Sequence, residues 1–135
     1  IPTFHKSIFL RNGAIFITGG SLDNEKLNKI FQYANQDLIE VGSLLCPRSS
    51  HCIASIGSKI FIVGGFTIGN IVTEKCEVYD TSIAKISQIA DVRKPCSSSS
   101  LVSINNHFLL KIGGTLSDGS NCRVIERYDT QRNTW

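Results

Sequence analysis

Three histidines, five cysteines and a run of four serines are the side chains here with chemistry to offer, and their spacing decides what each can do. His5, His51 and His107 stand far apart, each at the start of a predicted strand, so a zinc or copper site would need the fold to gather them. They are read as structural or exposed histidines. Cys46, Cys52, Cys76, Cys96 and Cys122 make an odd count without C-x-x-C spacing, which favours free buried thiols in a reducing compartment, and from that a cytoplasmic location. Ser97 to Ser100 lacks the G-x-S-x-G elbow of a serine nucleophile. Gly64-Gly65 and Gly113-Gly114 lack the lysine and the spacing of a phosphate loop. The expectation is therefore no catalytic residue, no metal ligand and no cofactor.

What the spacing does contain is a repeat. The doublets Gly19-Gly20, Gly64-Gly65 and Gly113-Gly114 are 45 and 49 residues apart, and Tyr33, Tyr79 and Tyr128 follow at 46 and 49. Each tyrosine lies 13 or 14 residues after the second glycine of its doublet. Two independent markers holding one period point to a solenoid, a propeller or an array. An apolar run precedes each doublet, and Lys59 to Val63 shows it most clearly: K-I-F-I-V is apolar on both faces, as a strand covered from two sides must be.

The surrounding residues extend the pattern. Pro47-Arg48 opens the middle unit, and Glu77-Val78-Tyr79-Asp80 follows Gly64-Gly65. Glu126-Arg127-Tyr128-Asp129 is followed by Asn133-Thr134-Trp135, with the tryptophan seven residues after its tyrosine. This set resembles the kelch repeat, in which each repeat supplies one four-stranded blade of a β-propeller. The resemblance implies an all-β chain of about three blades, near 2–46, 47–94 and 95–135, with the third truncated at Trp135. Ile39 and Ile86 then stand where the family has tryptophan.

In unit one the strands are expected at Lys6 to Leu10, Ala14 to Thr18, Asn28 to Tyr33 and Leu38 to Gly42, with Asn12-Gly13 as a two-residue hairpin turn. Local pattern competes here, because Leu27, Ile30, Phe31, Ala34 and Leu38 sit at helical spacing. The repeat outweighs it, since tertiary context overrides propensity. Unit two places strands at His51 to Ser55, Lys59 to Val63, Glu74 to Tyr79 and Ile83 to Ile89; unit three at Ser98 to Ser103, Phe108 to Ile112 and Val124 to Tyr128.

Glu77 and Glu126 each lie two residues before a tyrosine, on the same strand face. If buried they need donors, and Arg48 is the natural one, as a blade-linking ion pair. Unit one has Phe31 in the glutamate position and Thr3 in the arginine position, so no such pair is expected there.

By resemblance, the loops at 21–27, 66–73 and 115–121 and the connections at 44–50 and 91–98 meet on one face and bind a protein partner. Arg48, Ser49, Ser50, Arg93, Lys94 and Ser97 are the nominated contacts. The family function implied is a non-catalytic interaction scaffold, such as an adaptor recruiting substrates to a ubiquitin ligase or a cytoskeletal or signalling scaffold. The alternative is an oxidase resembling galactose oxidase, or a sugar epimerase, with its catalytic residues elsewhere. The three tyrosines are already accounted for by the repeat.

With 41% apolar and 19% charged residues the composition is globular, and a net charge of +3 with interspersed signs argues against nucleic acid or a membrane surface as partner. The absence of methionine marks the sequence as a piece of a longer protein, so further blades of the same propeller are expected partners of this one. Alone, the piece is expected to self-associate, because its end blades lack neighbours.

Overall fold

The computed structural model describes all 135 residues and is built from antiparallel sheets, with a single short 3-10 turn at Ile68–Asn70. Sheet one contains β1 (Lys6–Phe9), β2 (Ile15–Thr18), β5 (Lys29–Ala34) and β6 (Asp37–Ser43) in that spatial order; a two-stranded hairpin, β3 (Ser21–Leu22) and β4 (Glu25–Lys26), stands between β2 and β5. Sheet two runs β7 (Cys52–Ile56), β8 (Lys59–Val63), β9 (Cys76–Asp80) and β10 (Lys85–Ile89). Sheet three has β11 (Ser100–Ile104), β12 (Phe108–Ile112) and β13 (Ile125–Asp129), and Thr134 bridges to Asp129 where a fourth strand would lie. The innermost strands β1, β7 and β11 stand side by side and β6 approaches β10, so the sheets stack face to face like adjacent propeller blades.

The helical pattern of the twenties and thirties yields to the sheet. Asn35 and Gln36 take left-handed φ of 52° and 65° and join β5 to β6 as a two-residue hairpin. Ile30 and Phe31 pair with Thr18 and Ile17, which buries Ile30 completely. A bulge at Ile30/Phe31 absorbs one extra residue. Asn12-Gly13 differs from expectation. Only Gly13 is left-handed, and Leu10 N–H bonds Ala14 O, so the connection is a three-residue loop. The inner strands of units two and three also start later than expected, at Cys52 and Ser100, because the residues before them serve the inter-blade connection.

The doubly apolar central strand explains the packing. Ile60 and Ile62 face sheet one and join Leu10, Phe16, Ile30, Leu44 and Tyr79; Phe61 faces sheet three and joins Ala54, Leu109 and Tyr128. The tyrosine of each blade packs on the aromatic ring of the preceding one, Tyr79 on Phe16 at 6.2 Å and Tyr128 on Phe61 at 6.1 Å. Their hydroxyls donate to Val41 O at 3.2 Å and Asn133 Oδ1 at 2.7 Å. Tyr33 departs from this role. It is exposed, since no preceding blade covers its face of sheet one.

Trp135 stacks on Tyr128 at 5.0 Å and donates its indole N–H to Ala90 O at 2.8 Å, while Asn133 Oδ1 accepts Ala90 N–H. The end of unit three is thus stapled to sheet two. Ile86 fills its tryptophan position by packing on the first core. Ile39 does not: it is exposed, and Val41 packs inwards instead, because the bulge shifts which residues of β6 face the core. All five cysteines are free thiols, and all but Cys46 are buried.

Candidate functional site

The meander puts every loop between second and third strands, and every connection between blades, at the same end of the molecule. Thr3 bridges Ser21, Ser49 bridges Phe66 and Ser97 bridges Thr115, so these three positions are equivalent. The following residues, Phe4, Ser50 and Ser98, all take left-handed φ near 50° and form a rail across the blades. Ser50 N–H donates to Phe4 O at 3.0 Å, and Ser98 N–H donates to Ser50 O at 2.7 Å. This corrects the alignment of unit one: Pro2, rather than Thr3, stands over Arg48.

Arg48 is wholly buried. Its guanidinium meets Glu77 Oε2 at 2.6 Å and donates to the carbonyls of Gly64 and Lys75 at 2.8 Å each, leaving only Nε without a partner. Both charges belong to unit two, so the ion pair itself does not link blades. The link is the other carboxylate oxygen, which accepts Leu45 N–H from the preceding connection. Glu126 repeats this by accepting Arg93 N–H at 2.7 Å and Lys94 N–H at 3.2 Å.

Unit three has Cys96 where unit two has Arg48, and its cation comes from elsewhere. Lys111, fully buried on β12 opposite Glu126, reaches that carboxylate at 3.4 Å and donates to Lys94 O at 3.0 Å. Sequence reading passed over it, although a lysine inside the apolar run F-L-L-K-I was the available signal.

The three histidines occupy separate places. His5 Nδ1 contacts Pro2 O at 2.6 Å, His107 lies 3.1 Å from Asp129, and His51 Nε2 shares a 2.8 Å hydrogen bond with Thr18 Oγ1. No group of three or more His, Cys, Asp or Glu side chains gathers into a metal-type cluster. His51 is fully buried with Nδ1 unpartnered, and burial, reinforced by Arg48, lowers its pKa to about 3.

This gives a signed prediction. The unfolded chain takes up a proton near pH 6.5 and the folded one only near 3, so the effect is absent above about 6.5. Below that, stability falls by roughly 1.4 kcal/mol per pH unit until about pH 3. His51→Gln should flatten that part of the profile; equal slopes for both proteins in urea titrations at a series of acid pH values would refute it.

Among the nominated contacts, Arg48, Ser49 and Ser97 are buried and turned into the framework, Ser50 is half-buried on the rail, and Arg93 and Lys94 are exposed. The structure adds residues that went unnoticed. Phe4, Leu22, Ile68 and Ile71 project into solvent from loops pinned by backbone bonds, with Ile68 69% exposed. Lys26 Nζ bonds Asn70 Oδ1 at 3.0 Å and ties the β3–β4 hairpin to the 66–73 loop. Between them opens a cavity of about 770 Å³, lined by Phe4, Asp23, Asn24, Ser50, Phe66 and Asn70 among others. Apolar letters within otherwise polar loops were the signal for these positions. No helix is long and apolar enough to cross a membrane.

Comparison with known proteins agrees with this geometry. Residues 47–85 match the Kelch motif. The chain is similar to Kelch-like protein 41a of Danio rerio, 24% identical over 139 residues, covering 96% of this chain and 23% of that protein. It is also similar to Kelch-like protein 25 of Xenopus tropicalis, 23% identical over 132 residues, covering 90% of this chain and 22% of that protein. The chain therefore spans less than a quarter of the curated relatives it matches. A sheet unit repeated at one period, the Kelch motif matched in its middle copy and relatives similar across nearly the whole chain together support the kelch-repeat resemblance.

Proposed function

We propose that this chain is part of a non-catalytic, cytoplasmic protein-interaction scaffold that offers its loop end to a protein partner. The observation supporting the reading is the set of exposed apolar side chains, Phe4, Leu22, Ile68 and Ile71, held on loops whose backbones are fixed by the rail and by the Lys26–Asn70 bond. Apolar side chains preorganised in this way bind at low entropic cost. Arg93, Lys94 and Ser50 add polar contacts at the rim, whereas Arg48, Ser49 and Ser97 position the surface from beneath. Phe9 and Tyr33 on sheet one and Ile125 on sheet three are exposed on the two outer faces, which suits cover by further blades of the same propeller. In the whole protein the surface would serve a substrate-recruiting adaptor of a ubiquitin ligase, or a cytoskeletal or signalling scaffold.

The double variant Ile68→Asp, Ile71→Asp tests this. Both side chains are solvent-exposed, so stability should change by about 0.5 kcal/mol or less. Partner binding by the full-length protein should weaken at least about tenfold, as for loss of an interface anchor. Quantitative co-purification that recovers the same partners in the same amounts would refute the reading, and stoichiometric copper in the purified protein would favour an oxidase instead.

A further inference from the structure

Unit one breaks the pattern of the loop end at one position. Ser50 and Ser98 carry small polar side chains on the rail, but their equivalent is Phe4, 69% exposed on a backbone with φ of 54°. A bulky residue is seldom held in the left-handed region, and an aromatic ring left in water gains nothing from burial. Strain and exposure at one residue both oppose stability, so the reason for this ring lies in what it meets outside the chain.

Phe4 lines the cavity of about 770 Å³ described above. A second cavity of about 480 Å³ adjoins it, sharing Asn24, Lys26 and Asn70 and adding Glu25, Ile68 and Gly69. Together they form one groove between the β3–β4 hairpin and the loop at 66–73. Its walls are held: Thr3 bridges Ser21, Ser49 and Val72 each bridge Phe66, and Lys26 Nζ bonds Asn70 Oδ1. A fixed groove of this kind binds without the cost of ordering its own loops.

The groove is net negative in a chain whose net charge is +3. Asp23 and Glu25 are exposed and take part in no ion pair. Lys26 is the one cation among the lining residues, and its ammonium is turned to Asn70. Arg48 lies beneath, wholly buried and paired with Glu77, and Arg93 and Lys94 line neither cavity. An acidic segment would therefore be repelled, whereas a basic one finds two unpaired carboxylates.

Resting on the interaction reading above, we infer that this groove takes an extended segment of the partner protein with a defined chemistry. The segment carries a lysine or arginine on the same face as an aromatic or branched aliphatic side chain, about two to four residues away, and no Asp or Glu between them. The apolar side chain packs on Phe4, Phe66 and Ile68, and the cation reaches Asp23 and Glu25 at the hairpin. Phe4 is then covered on binding, which offsets what its exposure and backbone cost the free chain.

The test pans a phage-displayed library of random dodecapeptides on the full-length protein at low ionic strength and measures the selected peptides by fluorescence anisotropy. Selected sequences should pair Lys or Arg with an apolar side chain at the stated spacing and be depleted in Asp and Glu. The double variant Asp23→Asn, Glu25→Gln keeps the shape of both side chains, and Asn suits the left-handed φ of 49° at position 23. It should bind those peptides about fivefold more weakly at low salt, with the difference vanishing at high salt. Acidic or charge-indifferent selections, no selection at all, or equal affinity of the double variant would each overturn the inference. If the Ile68→Asp, Ile71→Asp protein loses the selected peptides in those cases, the interaction reading still stands. Peptides that this protein binds unchanged would instead refute that reading, and the inference with it.

Discussion

Gly65→Ala is expected to destabilise the protein by about 4 kcal/mol or more, a large share of the stability of an ordinary domain. Gly65 has φ of 88°, and a Cβ there would stand 2.5 Å from Ser49 O and 2.8 Å from both N and Cα of His51. All three are backbone atoms, so no side-chain rotation relieves the overlap. Moving them would break the Ser49–Phe66 bridge, where Ser49 N–H donates to Phe66 O and Phe66 N–H to Ser49 O, both at 2.9 Å. Gly20 and Gly114 meet Thr3 O and Ser97 O in the same way, at 2.8 and 2.6 Å, which is why a glycine recurs at this point of each unit.

Gly57 supplies the control. Its φ of 58° is also left-handed, but nothing lies within 4 Å of its missing Cβ, so Gly57→Ala should cost only about 1–2 kcal/mol of backbone strain. Urea midpoints for the two variants decide the matter. Equal losses would mean that the doublet is kept for φ alone and not for close approach.

Breaking the Arg48–Glu77 pair is expected to cost about 3–5 kcal/mol for either Arg48→Met or Glu77→Leu, because each leaves a buried charge without its counter-ion. Glu77 would still face the Leu45 N–H, and Arg48 the carbonyls of Gly64 and Lys75, so neither orphan is released to water. The double variant should recover a large part of the loss, since removing both charges removes the desolvation penalty that each single variant exposes. Additive single losses in a double-mutant cycle would show that the two groups act independently and that the 2.6 Å contact carries no coupling.

The same comparison explains how unit three tolerates Cys96. Its carboxylate is served by Lys111 from the neighbouring strand, and β12–β13 register places Lys111 directly opposite Glu126. A reader of the sequence saw the lost arginine but not the replacement, because the compensation crosses the sheet between residues 15 positions apart. The short β3–β4 hairpin within the loop at 21–27 was equally hidden. Asp23 and Asn24 both take left-handed φ there, and two-residue strands carry no periodicity from which to read them.

Positions on the β-strands were the most legible. Tyr79, Tyr128, Glu77 and Glu126 follow from types and spacing because a strand alternates its faces strictly, the glycine doublets between strands because the repeat supplies the same test three times, and the Arg48 pairing because a buried carboxylate needs a donor. Tyr33 and Ile39 carry the right letters without the expected burial. Burial of the tyrosine depends on an adjacent blade, and burial on β6 depends on a bulge that shifts the register by one residue.

Period, strand order and the places where only glycine fits were determined by the sequence itself, since each is a local demand on backbone geometry made again in every unit. Tertiary structure alone decided which side chains face solvent at the loop end and which cation answers each buried carboxylate. These depend on contacts between elements remote in the chain. Such contacts come from the stacking of sheets and leave no periodic trace within any one of them.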